Sequence, residues 1–280
     1  MPVALVTDST AYLPATLIEQ HSVQVVPLQV LIAGQAHDEN DVTAGLVAES
    51  LRAHTPVTTS RPSPATFATA YRALGEQGFD GIVSVHMSAE MSGTWASARL
   101  AADDVTIPVE VVDSRSLAMG LGFAVISAAE SIASGATAAQ AARAAAARAA
   151  NTSACFYVDT LEHLRRGGRI GAASALVGSA LAIKPLLRLD DGRIVPLENV
   201  RTSARGIARL EEIAVGLAVP GRRVDVAVHH LDSADRAAGL AERIAQRLPD
   251  LRELVVAEVG AVVGAHVGPG MLAVVLAPVG

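Results

Sequence analysis

The sequence predicts an α/β protein of two domains. An N-terminal domain, residues 1–152, is expected to carry a mostly parallel sheet flanked by helices. A C-terminal α+β domain, residues 153–280, is expected to carry a mixed or antiparallel sheet. Three observations predict this. Short β-branched runs alternate with helical patterns up to about residue 152. Beyond that point the rhythm changes, with two successive helical patterns and a hairpin signal. Of the 280 residues 51% are apolar and only 3% aromatic, so a sizeable, aliphatic, alanine-rich core is available.

In the N-terminal half, Val3–Val6, Val23–Ile32, Gly81–Val85, Val109–Val112 and Ala154–Val158 read as strands. Helices are expected near 14–21, 43–54, 64–77, 93–102, 116–134 and 138–150. Ser63-Pro64 marks one helix start, a capping serine followed by proline at the first helical position. In the C-terminal half, helices near 160–166 and 174–182 follow each other. Leu186–Leu189 and Arg193–Leu197 flank Asp190-Asp191-Gly192, a hairpin signal. Helices near 203–218 and 233–248 are interleaved with strands 224–231, 253–259 and 271–277.

Composition narrows the function. The formal net charge is −6, and no basic face suggests nucleic-acid binding. Lys184 is the single lysine. The lone Cys155 excludes an internal disulfide, favours a reducing compartment and reads as a small buried hydrophobe. No charged n-region and apolar h-region opens the sequence, and no apolar run is long enough for an integral membrane segment. Neither a phosphate-binding P-loop nor a G-x-S-x-G elbow occurs, and no zinc-like spacing of His, Asp and Glu is seen. His229 and His230 are adjacent on one strand and point to opposite faces, a poor metal pair.

Four segments are candidates for chemistry. Gly264-Ala265-His266-Val267-Gly268-Pro269-Gly270 reads as a shaped loop where two strand ends meet, with one imidazole among three glycines and a proline. It is either a tight turn or a site. Thr58-Thr59-Ser60-Arg61-Pro62-Ser63-Pro64 brings hydroxyls to a helix start, where unpaired N–H groups and the dipole attract anions. Capping explains Ser63 and leaves Thr59 and Ser60 unexplained. Met91-Ser92-Gly93-Thr94 is a second hydroxyl-rich helix start after a strand, where open α/β sheets bind ligands; capping is again the alternative. Arg165 through Gly171, with Arg201 further on, supplies either helix-end charges or an anion or partner patch.

Taken in order, Val6-Thr7-Asp8-Ser9-Thr10, Thr59 through Ser63, Met91 through Thr94, Val112-Asp113-Ser114, Leu164 through Ile170, Ile183-Lys184-Pro185 and Gly264 through Gly270 resemble the bacterial DegV proteins. These are the fatty-acid-binding subunits of a two-component fatty-acid kinase. The likeness spans nearly the whole sequence. It implies a cytoplasmic, non-catalytic protein of phospholipid metabolism that buries one long-chain fatty acid and needs no other cofactor. It further implies that Thr59 and Ser92 hold the carboxylate, with Ser60, Gly93, Thr94 and His266 in the same site. Arg201 and His266, with Arg61, are implied in presenting the carboxylate to a separate ATP-dependent kinase that makes the acyl phosphate. Arg61 stands where the family usually has glutamine, and either adds a charge-assisted contact to the anion or faces the partner surface. Burial of about 0.8 kcal/mol per methylene gives a sixteen-carbon tail on the order of 10 kcal/mol gross, before association costs. A serine hydrolase built from Ser92, Asp113 and His266 is the competing expectation, since that chain order matches one known triad order.

Overall fold

The computed structural model describes residues 2–176 and 183–279. Its strands are β1 (Val3–Asp8), β2 (Gln24–Val26), β3 (Gln29–Ile32), β4 (Gln35–Asp38), β5 (Val57–Ser60), β6 (Gly81–His86), β7 (Val109–Asp113), β8 (Ser153–Tyr157), β9 (Lys184–Asp190), β10 (Arg193–Val200), β11 (Val224–His230), β12 (Leu251–Glu258) and β13 (Leu272–Pro278). Its α-helices are α1 (Ala15–Gln20), α2 (Ala44–Arg52), α3 (Pro64–Glu76), α4 (Thr94–Asp103), α5 (Met119–Ala133), α6 (Ala138–Ala150), α7 (Glu162–Arg166), α8 (Ser203–Leu217), α9 (Ala234–Arg247) and α10 (Ala261–Val267). They form two compact units. One comprises Met1–Gln29 and Ser60–Asn151, the other Val30–Thr59 and Thr152–Gly280.

The first unit is an α/β unit on a parallel four-stranded sheet, ordered β2-β1-β6-β7. β6 is buried at every residue, as expected of a parallel strand covered on both faces. Phe67, Tyr71 and Leu74 of α3, with Ala98 and Ala101 of α4, pack on Ala4, Val6 and Ile82. Helices α5 and α6 pack on each other and on the sheet strands. Helix starts follow local chemistry. Ser63 Oγ accepts from Thr66 N–H at 3.1 Å, with Pro64 first in α3. Thr137 and Gln140 form a capping box on the alanine-rich α6. The strand order reverses direction between β1 and β6, so their C-terminal ends form the switch point where such sheets bind ligands.

The second unit carries a mixed six-stranded sheet, ordered β10-β9-β8-β13-β11-β12, antiparallel except for β11 beside β12. Leu210 and Ala214 of α8, with Leu240 and Ile244 of α9, bury against Tyr157, Leu186, Val226 and Leu272. Asp191 and Gly192 take φ of 48° and 81° in the β9–β10 turn, the left-handed pair an Asp-Gly hairpin requires. Val30–Thr59 adds a small sheet, ordered β4-β3-β5, and α2, which packs against α10.

Several local expectations change. The apolar run Val23–Ile32 breaks at Pro27 into β2 and β3, which join different sheets, because proline carries no N–H for a ladder. β4 and β5 lack a strong apolar pattern; every residue of β4 is exposed, which hides it from periodicity. Residues 171–176 form a 3₁₀ turn at the start of the helix expected over 174–182, and 177–182 lie outside the described residues. Gly167 closes α7 with φ −73°, and Gly168, at +70°, is the left-handed residue instead. Cys155 is buried, and burial pushes its thiol up to about 11.

Candidate functional site

His266 does not lie in a loop joining two strand ends. It occupies the last turn of α10, and Gly268, at φ 76°, ends that helix before β13. The helix is apolar and almost wholly buried, so packing specifies it where sequence pattern suggested a turn. Two glycines shape its end. A β-carbon at Gly167 would stand 2.0 Å from His266 Nδ1, and one at Gly268 would stand 2.2 Å from the His163 ring. Each histidine therefore lies against the glycine that closes the other's helix.

His266 Nε2 is 2.8 Å from Oγ1 of Thr59, which sits on β5 rather than at a helix start. Nδ1 is buried and has no hydrogen-bond partner among the described residues. Burial, with Arg169 nearby, lowers the His266 pKa to about 4, so the ring is neutral at pH 7. A buried lone pair is tolerated better than a buried unpaired N–H. The proton therefore belongs on Nε2 and points at Thr59, which leaves the threonine hydroxyl hydrogen free for an acceptor.

The first unit holds the other hydroxyls. Ser92 Oγ lies 2.8 Å from Thr94 Oγ1 and accepts from Thr94 N–H at 3.3 Å. Gly93 precedes α4 and has no side chain to cap it. The Arg61 guanidinium lies across Gly93: a β-carbon there would be 2.7 Å from Nη1. Arg61 is exposed and forms no hydrogen bond or ion pair among the described residues. Ser60 Oγ is 3.3 Å from Gln29 Oε1.

A buried network joins the ends of β1 and β6; the family resemblance quoted its Asp8 and Thr10, and nothing in the sequence singled out His86, Ser84 or Tyr71. Asp8, at the end of β1, accepts from Thr10 N–H and Oγ1–H at 3.1 and 2.6 Å through Oδ1. Its Oδ2 accepts from Met87 N–H at 2.9 Å and stands 3.1 Å from His86 Nδ1. His86 Nε2 is 2.7 Å from Ser84 Oγ, to which Tyr71 donates at 2.8 Å. The side chains of Asp8, Thr10, His86, Ser84 and Tyr71 are all fully buried. Asp113 Oδ1 accepts from Ala89 and Arg115 N–H at 3.2 and 2.8 Å. Asp8 and Asp113 thus fasten the loop that runs from β6 to Ser92. The signal available in sequence was an acidic residue closing each of two predicted parallel strands.

Arg201 is exposed at the bend before α8, which Thr202 caps by accepting from Arg205 N–H. Lys184 pairs with Asp159 at 3.0 Å; Tyr157 also donates to Asp159, at 2.6 Å. The members of the hydrolase expectation spend their hydrogen bonds elsewhere: Ser92 on Thr94, Asp113 on backbone amides, His266 on Thr59. His229 is fully buried against Ala257 O, and His230 lies near Glu258. Among the described residues no three His, Cys, Asp or Glu side chains are grouped to hold a metal, and no helix is long and apolar enough to cross a membrane.

Fold and local geometry together define an α/β protein of two units: one on a doubly wound parallel sheet with hydroxyls at the start of α4, the other on a mixed sheet with Thr59 paired to a neutral histidine. The chain belongs to the DegV family, whose model, described as "Uncharacterised protein, DegV family", matches residues 2–279. It is 56% identical over 275 residues to a DegV domain-containing protein of Streptomyces coelicolor, covering 98% of each chain. Among solved structures it resembles a DegV family protein from Thermus thermophilus described by its fatty acid binding, at 32% identity and a TM-score of 0.94 with both chains fully covered. It also resembles DegV of Bacillus subtilis, described as a fatty acid binding protein, at 34% identity and a TM-score of 0.91, again with full coverage.

Proposed function

We propose that this protein is a cytoplasmic carrier that buries one long-chain fatty acid in an apolar tunnel and presents its carboxylate to a separate ATP-dependent kinase for acyl-phosphate formation. The observation that carries the reading is the Thr59–His266 pair. A neutral imidazole aims its N–H at the threonine oxygen, so the threonine hydroxyl is set to donate. Such a donor orients a carboxylate without neutralising it, which keeps the oxygen nucleophilic. The family's solved members described as fatty acid binding support the ligand class. Thr59 and Ser92 are assigned to the carboxylate, Ser60, Gly93 and Thr94 to further head-group contacts, and Arg61 to an added positive charge. Arg201 and His266 are assigned to presentation, and the kinase supplies the charge stabilisation that phosphoryl transfer needs.

Mass spectrometry of an organic extract of the purified protein tests the ligand. A stoichiometric long-chain fatty acid is expected; lipid-free protein that also rejects palmitate and oleate overturns the reading. The division of roles is tested in pairs. Thr59→Ala and Ser92→Ala are expected to weaken palmitate binding. Arg201→Ala is expected to leave palmitate bound while acyl-phosphate formation with the kinase falls. Loss of binding in Arg201→Ala as large as in Thr59→Ala refutes the division.

A further inference from the structure

His266 is gripped at both ends of its helix by one short stretch of chain. At the far end from the histidine, the α10 N-terminus is capped by no local side chain, because its N-cap is Gly260. The cap comes from 223 residues away: Glu39 Oε1 accepts from Val262 N–H at 2.8 Å. Glu39 is 5% exposed, and it belongs to the 3₁₀ turn that directly follows β4. At the near end Thr59, on β5, meets the imidazole. β4 and β5 flank β3 in the same small sheet, so one three-stranded frame carries both grips. Between them α10 presents Gly264 to Leu231 and Val47, with 3.3 and 3.8 Å left to a β-carbon. A seven-residue helix cannot sustain itself in isolation, and its first N–H groups need acceptors. A carboxylate at that end also matches the helix dipole.

We propose that Glu39 is a positioning residue for His266: its buried carboxylate fastens the start of α10 and thereby sets the imidazole against Thr59. The proposal deepens the head-group reading above and rests on it for its significance. Its test needs no ligand, so the two can fail separately.

NMR titration of the His266 imidazole in the intact protein provides the readout. The wild type is expected to titrate near pH 4 with its proton on Nε2. In Glu39→Ala the ring loses its setting, and the midpoint is expected to move toward the ordinary 6.5. Glu39→Gln keeps a carbonyl acceptor and is expected to restore the wild-type midpoint. A folded Glu39→Ala protein with unchanged His266 midpoint and tautomer overturns the proposal. If that variant does not fold, amide exchange in the wild type decides: slow exchange at Val262 supports the contact, and exchange at the rate of an exposed loop overturns it. Wild-type protein that binds no fatty acid overturns the functional reading while the titration still judges Glu39.

Discussion

Thr59 Oγ1 and His266 Nε2 stand 2.8 Å apart although 207 residues separate them in the chain. The contact joins the edge of a small sheet to the end of a short buried helix. It makes a hydroxyl and an imidazole into one unit with a defined proton direction.

Removing the hydroxyl while keeping the shape isolates that unit. Thr59→Val is expected to weaken palmitate binding by about 1.5–3 kcal/mol, the worth of one hydrogen bond to a charged acceptor. The melting temperature is expected to change little, since the site is only part-buried. Calorimetric titration with palmitate at pH 7 checks this; unchanged affinity removes Thr59 from the carboxylate.

The neutral imidazole predicts an acid limb in stability. His266 and His229 both fall from 6.5 to about 4 on folding, chiefly through burial. Between those values the unfolded chain binds more protons than the folded one, so stability rises with pH through the window and is lost as pH falls through it. Each group contributes on the order of 3 kcal/mol at most across that window. Urea midpoints measured from pH 7 to 4 are expected to fall in the wild type and to fall less in His266→Gln. Equal slopes in both proteins contradict a buried neutral His266.

The glycines that close α7 and α10 are steric requirements. Gly167→Ala would drive a methyl group into His266 Nδ1, and Gly268→Ala would meet the His163 ring in a backbone conformation alanine avoids. Each is expected to destabilise the protein by about 2–4 kcal/mol in chemical denaturation. Gly239→Ala, whose nearest atom is the end of a flexible arginine at 3.4 Å, serves as the tolerated control.

Arg61 predicts a salt effect. Its exposed guanidinium lies over Gly93 beside Ser92 and Thr94. Arg61→Gln is expected to lower palmitate affinity about threefold at low salt and to flatten its dependence on ionic strength, because exposed charges are screened within about 10 Å at 0.1 M. Parallel salt curves for both proteins place Arg61 outside the head-group site.

Asp8 predicts a large stability loss. Asp8→Ala strands His86, Thr10 and the Met87 N–H in a dry interior. The expected cost is about 3–5 kcal/mol by equilibrium denaturation. A loss below about 1 kcal/mol would mean that water replaces the carboxylate.

The sequence by itself determined what depends on near neighbours. The α/β alternation, the Ser63-Pro64 helix start and the Asp191-Gly192 hairpin all rest on interactions within a few residues. They stand in the structure because caps, turns and periodicity are local energies. The family resemblance was legible for a related reason, as an ordered series of short motifs along the whole chain. Tertiary structure alone decided the rest. It grouped Val30–Thr59 with the C-terminal half of the chain and turned the glycine-rich segment around His266 into a helix end. It also assembled the buried Asp8–His86–Ser84–Tyr71 network and brought Glu39 to the start of α10. Each of these rests on a hydrogen bond or packing contact between distant positions. A seven-residue, mostly apolar segment such as Ala261–Val267 carries too little local preference to choose its own conformation, so burial and borrowed acceptors choose it.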